Sequence, residues 1–415
     1  MSNLHLKFTG PLEGSPILPA SKSESNRALI LNLFSGGKIQ ISNLSNAKDT
    51  RILQKLVENE TNVFDAGDAG TSFRFMTAYL AVSGKKAVLT GSERMKERPI
   101  QLLVDALRKL GAETSYIGNE GYPPLQFNGF RHSGVSEIEI DGTVSSQYIS
   151  ALMMSGPSLP NGIKIKLLGD VVASWPYLEL TWNLMQRIGI QGDFSPKLIS
   201  IPNQEFQQKE VSIESDWSAA AYWYAMLALM PLESCLTLAN LFKGSFQGDS
   251  AIQSVFENWG IKSSFSGQNL LIEKKENPKY VGRMELDFLN IPDQGQTIIA
   301  LCAATGVEAY FTGLHSLAIK ETNRLLAMKT ELKKIGIEIE INEKEGTCYI
   351  AGNQKLTKPN SAFSTYKDHR MAMALSIFAI VFKEGIEIEN PDVVEKSYPD
   401  FWRELGKAGF EIGHS

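Results

Sequence analysis

The sequence predicts an α/β protein of two similar halves, each holding three copies of one helix-and-strand unit. Two observations carry that reading: a helix ending in glycine recurs at nearly even spacing, and a second, more uniformly apolar helix precedes each copy. The length agrees, since 415 residues at roughly 150 per domain give two or three domains.

The glycine-ended helices span residues 102–111, 184–189, 255–260, 332–336 and 405–409, and their glycines lie 78, 71, 76 and 73 positions apart. Each has apolar residues three and four apart and closes on a glycine where a left-handed backbone is needed. A weaker copy at 52–59 opens the series without the glycine. The apolar helices begin near Ser25, Thr71, Ser145, Ser218, Gln294 and Arg370, and apolarity on all sides means burial. Between them lie β-branched, alternating runs at 135–140, 163–167, 337–341 and 386–388, which read as strands. The polar stretch 203–210 is the boundary that composition favours, with 18–21 a second short break.

Composition is ordinary for a globular chain, with 43 % apolar residues, 21 % charged, 34 Gly and 17 Pro. A formal charge of −5 recruits neither nucleic acid nor an anionic membrane surface, so an anionic ligand must be caught locally. Three scattered cysteines and five histidines form no zinc or disulfide pattern, which fits a reduced, cytoplasmic setting. The N-terminus has no basic stretch before an apolar core, so neither a signal peptide nor a membrane span is expected.

The unusual residues sit where the apolar helices start. Ser21-Lys-Ser-Glu-Ser-Asn-Arg27 offers caps together with two cations; capping alone explains the serines, while free N–H groups plus Lys22 and Arg27 suit a phosphate. Asp65-Ala-Gly-Asp-Ala-Gly-Thr71 leads to Arg74, and Pro99, suited to a first helical position, places Arg98 at another helix start. Asp141-Gly-Thr-Val-Ser-Ser-Gln147 sets two hydroxyls and an amide before an apolar helix. Asp216 and Asp293 read as N-caps by default, and for Asp293 a role as general base is compatible with capping. Lys320 and Arg324 share a face by their four-residue spacing, with Glu321 between two cations. Read singly, His369 is a structural histidine beside Arg370. Taken together, helix starts that point one way would converge on a pocket for a polyanion.

These segments, with Leu89-Thr-Gly-Ser-Glu-Arg-Met-Lys-Glu-Arg-Pro-Ile100 and Tyr366-Lys-Asp-His-Arg-Met-Ala-Met373, resemble the 5-enolpyruvylshikimate-3-phosphate synthase family over essentially the whole chain. The resemblance implies two domains of three βαβαββ units each, an inside-out α/β barrel with the active site in the cleft between domains. It further implies that residues 1–20 join 214–415 in one domain, leaving 21–213 as the other. The implied reaction moves the enolpyruvyl group of phosphoenolpyruvate to the 5-hydroxyl of shikimate 3-phosphate, in aromatic amino-acid and chorismate biosynthesis, with no metal or organic cofactor. Position by position, shikimate 3-phosphate would be held by Lys22, Ser23, Arg27, Ser145, Ser146, Gln147, Ser174, Asp293 and Lys320. Phosphoenolpyruvate would meet Lys22, Gly70, Arg98, Gln147, Arg324, Arg370 and Lys396. Asp293 would be the base toward the hydroxyl and Glu321 the donor to the methylene carbon, with Lys22 assisting at the departing phosphate. The implied partners are these small molecules alone, with no nucleic acid or membrane, and a monomer is expected.

Departures from the family pattern are Asp68 for Asn, Ala20 for Gly, Phe75 for Pro, Asn323 for Asp, and Ser316 where many members carry a substrate-binding Asn. Two rivals stand beside this reading. A UDP-N-acetylglucosamine enolpyruvyl transferase would usually place a cysteine in the loop near Arg94 to Arg98, and none of the three cysteines lies there. A non-catalytic anion-binding homologue would have little use for both Asp293 and Glu321 beside its pocket.

Overall fold

Each of the five periodic glycines has a positive φ in the computed structural model, between 74° at Gly260 and 115° at Gly111, and closes a helix as the spacing predicts. The structure describes residues 3–143, 145–169, 172, 174–278 and 282–414. The chain divides into two compact units, 1–19 with 214–415 and 20–213. The polar stretch 203–210 is therefore no boundary. Asn203 donates to the carbonyls of Pro157 and Leu159, Phe206 is buried, and the strand Lys209–Ser212 still belongs to the 20–213 unit.

The repeat is legible in the sheets. Three of them share one pattern: Val63–Asp65, Ala87–Thr90, Leu125–Phe130, Ala112–Tyr116; then Glu137–Asp141, Ile163–Leu168, Leu198–Ile201, Asp193–Phe194; then Met284–Asp287, Ala309–Thr312, Thr347–Ile350, Ile339–Asn342. In each the first two strands are parallel, as Val63↔Val88, Glu137↔Lys164 and Met284↔Ala309 show. A parallel pair needs a crossover, and the apolar helices Gly70–Ser83, Ser146–Ser155 and Gly295–Thr305 supply it. The last two strands of each sheet form an antiparallel hairpin.

The other three copies are incomplete among the described residues. Ile39–Ser42 finds its parallel neighbour only at the far end of its unit, in Lys209–Ser212. Cys235–Ala239 pairs with Asn269–Lys274 and, through it, Ile261–Ser266. Ile386–Ile388 and Phe410–His414 both pair with Leu4–Phe8, so the first strand of the chain fills the sheet of the last repeat. That pairing is why residues 1–19 belong with 214–415.

Two hydrophobic cores result, one per unit. Every residue of Trp217–Ala228 except Ser218 is buried, as its uniform apolarity requires. No helix among the described residues is long and apolar enough to cross a membrane.

Candidate active site

In the 20–213 unit the starts of three apolar helices are tied together by side chains. Ser21 caps Lys22–Phe34 by accepting from the Glu24 N–H. Lys22 Nζ lies 3.6 Å from Asp49, and the Asp49 carbonyl accepts from Ser72 in the first turn of Gly70–Ser83. Thr71, beside it, accepts from Gln147 Nε2 at 3.1 Å, which brings in Ser146–Ser155, capped by Ser145. Gly70 has a steric reason to be glycine. A Cβ there would stand 2.5 Å from the Arg98 guanidinium and 2.8 Å from that of Arg74, so the missing side chain lets two cations close on one helix start.

Arg27 is buried, and its guanidinium donates to neutral oxygens: Thr181 Oγ1 at 2.6 Å, the Ser23 carbonyl at 2.9 Å, the Tyr177 carbonyl at 3.2 Å and Ser150 Oγ at 3.4 Å. Phe75 turns its ring to the same guanidinium, 5.4 Å away. Burial pulls Arg27 down to about 10, leaving it charged at neutral pH. Ser174 takes a left-handed backbone at the start of Trp175–Arg187 and caps nothing with its side chain. Val144, Val171 and Ala173, inside or beside these motifs, lie outside the described residues.

The other unit gathers its helix starts around carboxylates. Asp293 is not an N-cap; the Gly295–Thr305 helix has no side-chain cap. Its carboxylate instead meets Arg324 at 3.0 Å, Arg370 at 3.0 Å and Lys320 at 3.7 Å. Lys320 ends the short 3₁₀ turn His315–Ile319, and the α-helix Arg324–Lys333 begins only at Arg324. The four-residue helical spacing expected for Lys320 and Arg324 is thus absent, though both reach Asp293. Glu321 also differs from expectation, lying between Arg324 at 2.9 Å and Lys396 at 3.0 Å. Arg370 further reaches Ser218 Oγ at 3.4 Å, so the starts of Trp217–Ala228, Gly295–Thr305 and His369–Leu375 meet at its guanidinium.

Three carboxylates escaped the sequence reading. Asp49 faces Lys22. Asp368, fully buried, caps the helix bearing Arg370 and takes Arg324 Nε at 2.7 Å. Asp249 accepts from Ser218 and from Gln294 at 2.6 Å; burial and the nearby Asp293 charge push it up to about 6, against the pull of Arg370. For Arg324, burial acts to lower the proton affinity, but Asp368, Glu321 and Asp293 together outweigh it and the net shift is upward. Lys320 shifts the other way. The Asp293 charge supports its proton, yet burial and the Arg324 charge leave it below the ordinary lysine value.

Pro99 does not open a helix, since Gln101–Leu110 starts two residues later; Arg98 reaches the site through Gly70 instead. His369 is buried with Nδ1 3.6 Å from Asp368.

A family model described as EPSP synthase (3-phosphoshikimate 1-carboxyvinyltransferase) matches residues 51–405. The chain belongs to the EPSP synthase family. A 3-phosphoshikimate 1-carboxyvinyltransferase of Bacteroides fragilis (strain YCH46) is 44 % identical over 396 residues, 95 % of each chain. Another from Mannheimia haemolytica is 34 % identical, covering 98 % of this chain and 99 % of that one. Among solved structures, an EPSP synthase from Acinetobacter baumannii matches with a TM-score of 0.76 at 18 % identity, covering 99 % of this chain and 100 % of that one. The enolpyruvyl transferase NikO from Streptomyces tendae matches with the same TM-score at 14 % identity, covering 100 % and 99 %. These two show the two-domain α/β fold.

Three of the departures from the EPSP synthase pattern have local explanations. Asp68 accepts from Ser92, which gives its charge a partner outside the Gly70 cluster. Asn323 caps the Arg324 helix by accepting from the Leu326 N–H at 3.2 Å, a task Asn performs as well as Asp. Phe75 supplies the ring beneath Arg27. Ala20 is buried at the chain crossing, and the Ser316 hydroxyl is buried without a hydrogen bond among the described residues.

Proposed function

We propose that this chain transfers the enolpyruvyl group of phosphoenolpyruvate to the 5-hydroxyl of shikimate 3-phosphate, releasing inorganic phosphate. The observation that carries the reading is Arg324, whose one buried guanidinium holds Asp293 and Glu321 together with Asp368. Two carboxylates at one cation suit a reaction that takes a proton from a hydroxyl and gives one to a methylene carbon.

The residues of the 20–213 unit, Lys22, Ser23, Arg27, Ser145, Ser146, Gln147 and Ser174, hold shikimate 3-phosphate. Asp293 and Lys320 are assigned to the same substrate. Phosphoenolpyruvate takes Lys22, Gly70, Arg98 and Gln147 with Arg324, Arg370 and Lys396. Asp293 accepts the proton of the 5-hydroxyl as its oxygen attacks C2, and Glu321 protonates the methylene carbon. The resulting tetrahedral intermediate then loses phosphate, whose departure Lys22 assists, together with a proton from its new methyl group, which restores the carbon–carbon double bond of the enolpyruvyl product.

Ion pairing supplies a reason for the timing. An anion that binds Arg324 and Arg370 competes with Asp293 and Glu321 for the same guanidinium protons. A carboxylate that loses a cationic partner binds a proton more readily, so this competition couples the arrival of phosphoenolpyruvate to proton transfer. We place the reaction in the cytoplasm, which the three free thiols support, and assign it to a monomer. Mixing the purified protein with both substrates and following phosphate release tests the function; no release above background overturns it.

A further inference from the structure

We propose that Glu331 is a positioning residue for this reaction: through Tyr366 it holds a left-handed turn that aims Asp368 and Arg370. The proposal rests on the reading of Arg324 and Arg370 as the grip on phosphoenolpyruvate.

The turn is unusual. Tyr366 and Lys367 are consecutive, neither is glycine, and their φ values are 53° and 57°. Bulky side chains avoid this region because Cβ crowds the backbone, so it persists only where the surroundings impose it. Directly after the turn the chain enters the site. Asp368 takes Arg324 Nε at 2.7 Å and the Arg370 N–H at 2.9 Å, and Arg370 reaches Asp293 at 3.0 Å. If the turn relaxed toward the right-handed region, the chain would leave it in a different direction and both groups would shift.

Glu331 is the group that imposes the turn. It is fully buried on the Arg324–Lys333 helix. One oxygen accepts from the Tyr366 hydroxyl at 2.7 Å, the other from the Ser364 N–H at 2.9 Å, and Lys334 Nζ lies 2.7 Å away. Seven residues separate Arg324 from Glu331, two turns of helix, so both project from one face. That face clamps the 364–368 segment at two points: Glu331 before and at the turn, Arg324 just after it. A buried carboxylate is costly unless it is fully engaged, and every contact named here is spent on the turn or on the helix that bears Arg324.

The test uses the full-length protein with Tyr366→Phe and Glu331→Gln, each alone and with Lys367→Gly, which accepts a positive φ without strain. Expected are a rise of at least fivefold in KM for phosphoenolpyruvate, a change under twofold in KM for shikimate 3-phosphate, and recovery of at least half the loss when Lys367→Gly is added. Should Glu331→Gln fail to fold, Tyr366→Phe, which deletes one hydroxyl, carries the test. An active wild type whose folded Tyr366→Phe variant changes KM for phosphoenolpyruvate by less than twofold, or whose loss Lys367→Gly leaves untouched, overturns this proposal alone. A wild type that releases no phosphate removes the functional reading and this proposal with it.

Discussion

In the 20–213 unit the deepest cation of the candidate site is satisfied by neutral groups: Arg27 donates to two hydroxyls and two carbonyls, while Lys22 leans on Asp49 at a loose 3.6 Å. In the other unit the cations are matched by acids, with Lys320, Arg324, Arg370 and Lys396 set against Asp293, Glu321, Asp368 and Asp249. Hydroxyls and carbonyls stabilise a guanidinium without cancelling its charge, so the first cluster keeps a net positive field for an incoming phosphate. The second is close to neutral. In the proposed reaction its arginines would exchange these partners for the incoming anion. In the reading proposed above, only the second cluster supplies carboxylates that transfer protons.

The largest expected effect tests that division directly. Asp293→Ala and Glu321→Ala should lower turnover about 10²–10⁴-fold while calorimetry still detects shikimate 3-phosphate binding. Loss of binding without loss of turnover would break the comparison. Next in size is a pair of stability measurements. Arg324→Met leaves three carboxylates around a vanished cation and should cost about 3–5 kcal/mol in urea unfolding. Arg27→Met strands only neutral acceptors and should cost about 1–3 kcal/mol; equal losses would mean that the two arginines are held alike.

A smaller effect concerns Asp249. Its folded value of about 6 lies above the ordinary 3.8, so its ionised form is the unfavourable one in the folded chain. The stability it lends is complete below pH 4 and is lost as pH rises through 6. Asp249→Asn should therefore stabilise by about 1–3 kcal/mol at pH 8 and by almost nothing at pH 4, read from melting curves at the two pH values. The smallest effect is expected for Asp68→Asn: with Asp68 held by Ser92, KM for phosphoenolpyruvate should change by less than twofold.

The two clusters also differ in how far they could be read from the chain. Helix ends follow local rules, so Gly111, Gly189, Gly260, Gly336 and Gly409 mark the repeat by their spacing, and Ser21 and Ser145 cap as their positions imply. Ion pairs made across the fold follow no such rule. The sequence sets Glu321 between its near neighbours, whereas its second cation is Lys396, brought in by a turn at the end of the last repeat. Asp249 sits in the short 3₁₀ turn Gly248–Ala251 with no sequence pattern to mark it, and Asp368 caps a helix with one oxygen while its second oxygen pairs with Arg324. The acid-rich cluster is the less legible because more of its partners come from distant repeats.

Among the described residues the strand Leu4–Phe8 pairs only with segments far along the chain, Ile386–Ile388 and Phe410–His414. During synthesis at roughly 5–20 residues per second, it emerges before them and waits on the order of 20–80 s for its neighbours to be made. Residues 20–213 include both members of their own widest pairing, Ile39–Ser42 and Lys209–Ser212, and can fold while the ribosome is still translating the rest. Residues 20–213 thus have their strand partners early, whereas the sheet of Leu4–Phe8 is completed only once Phe410–His414 has been made.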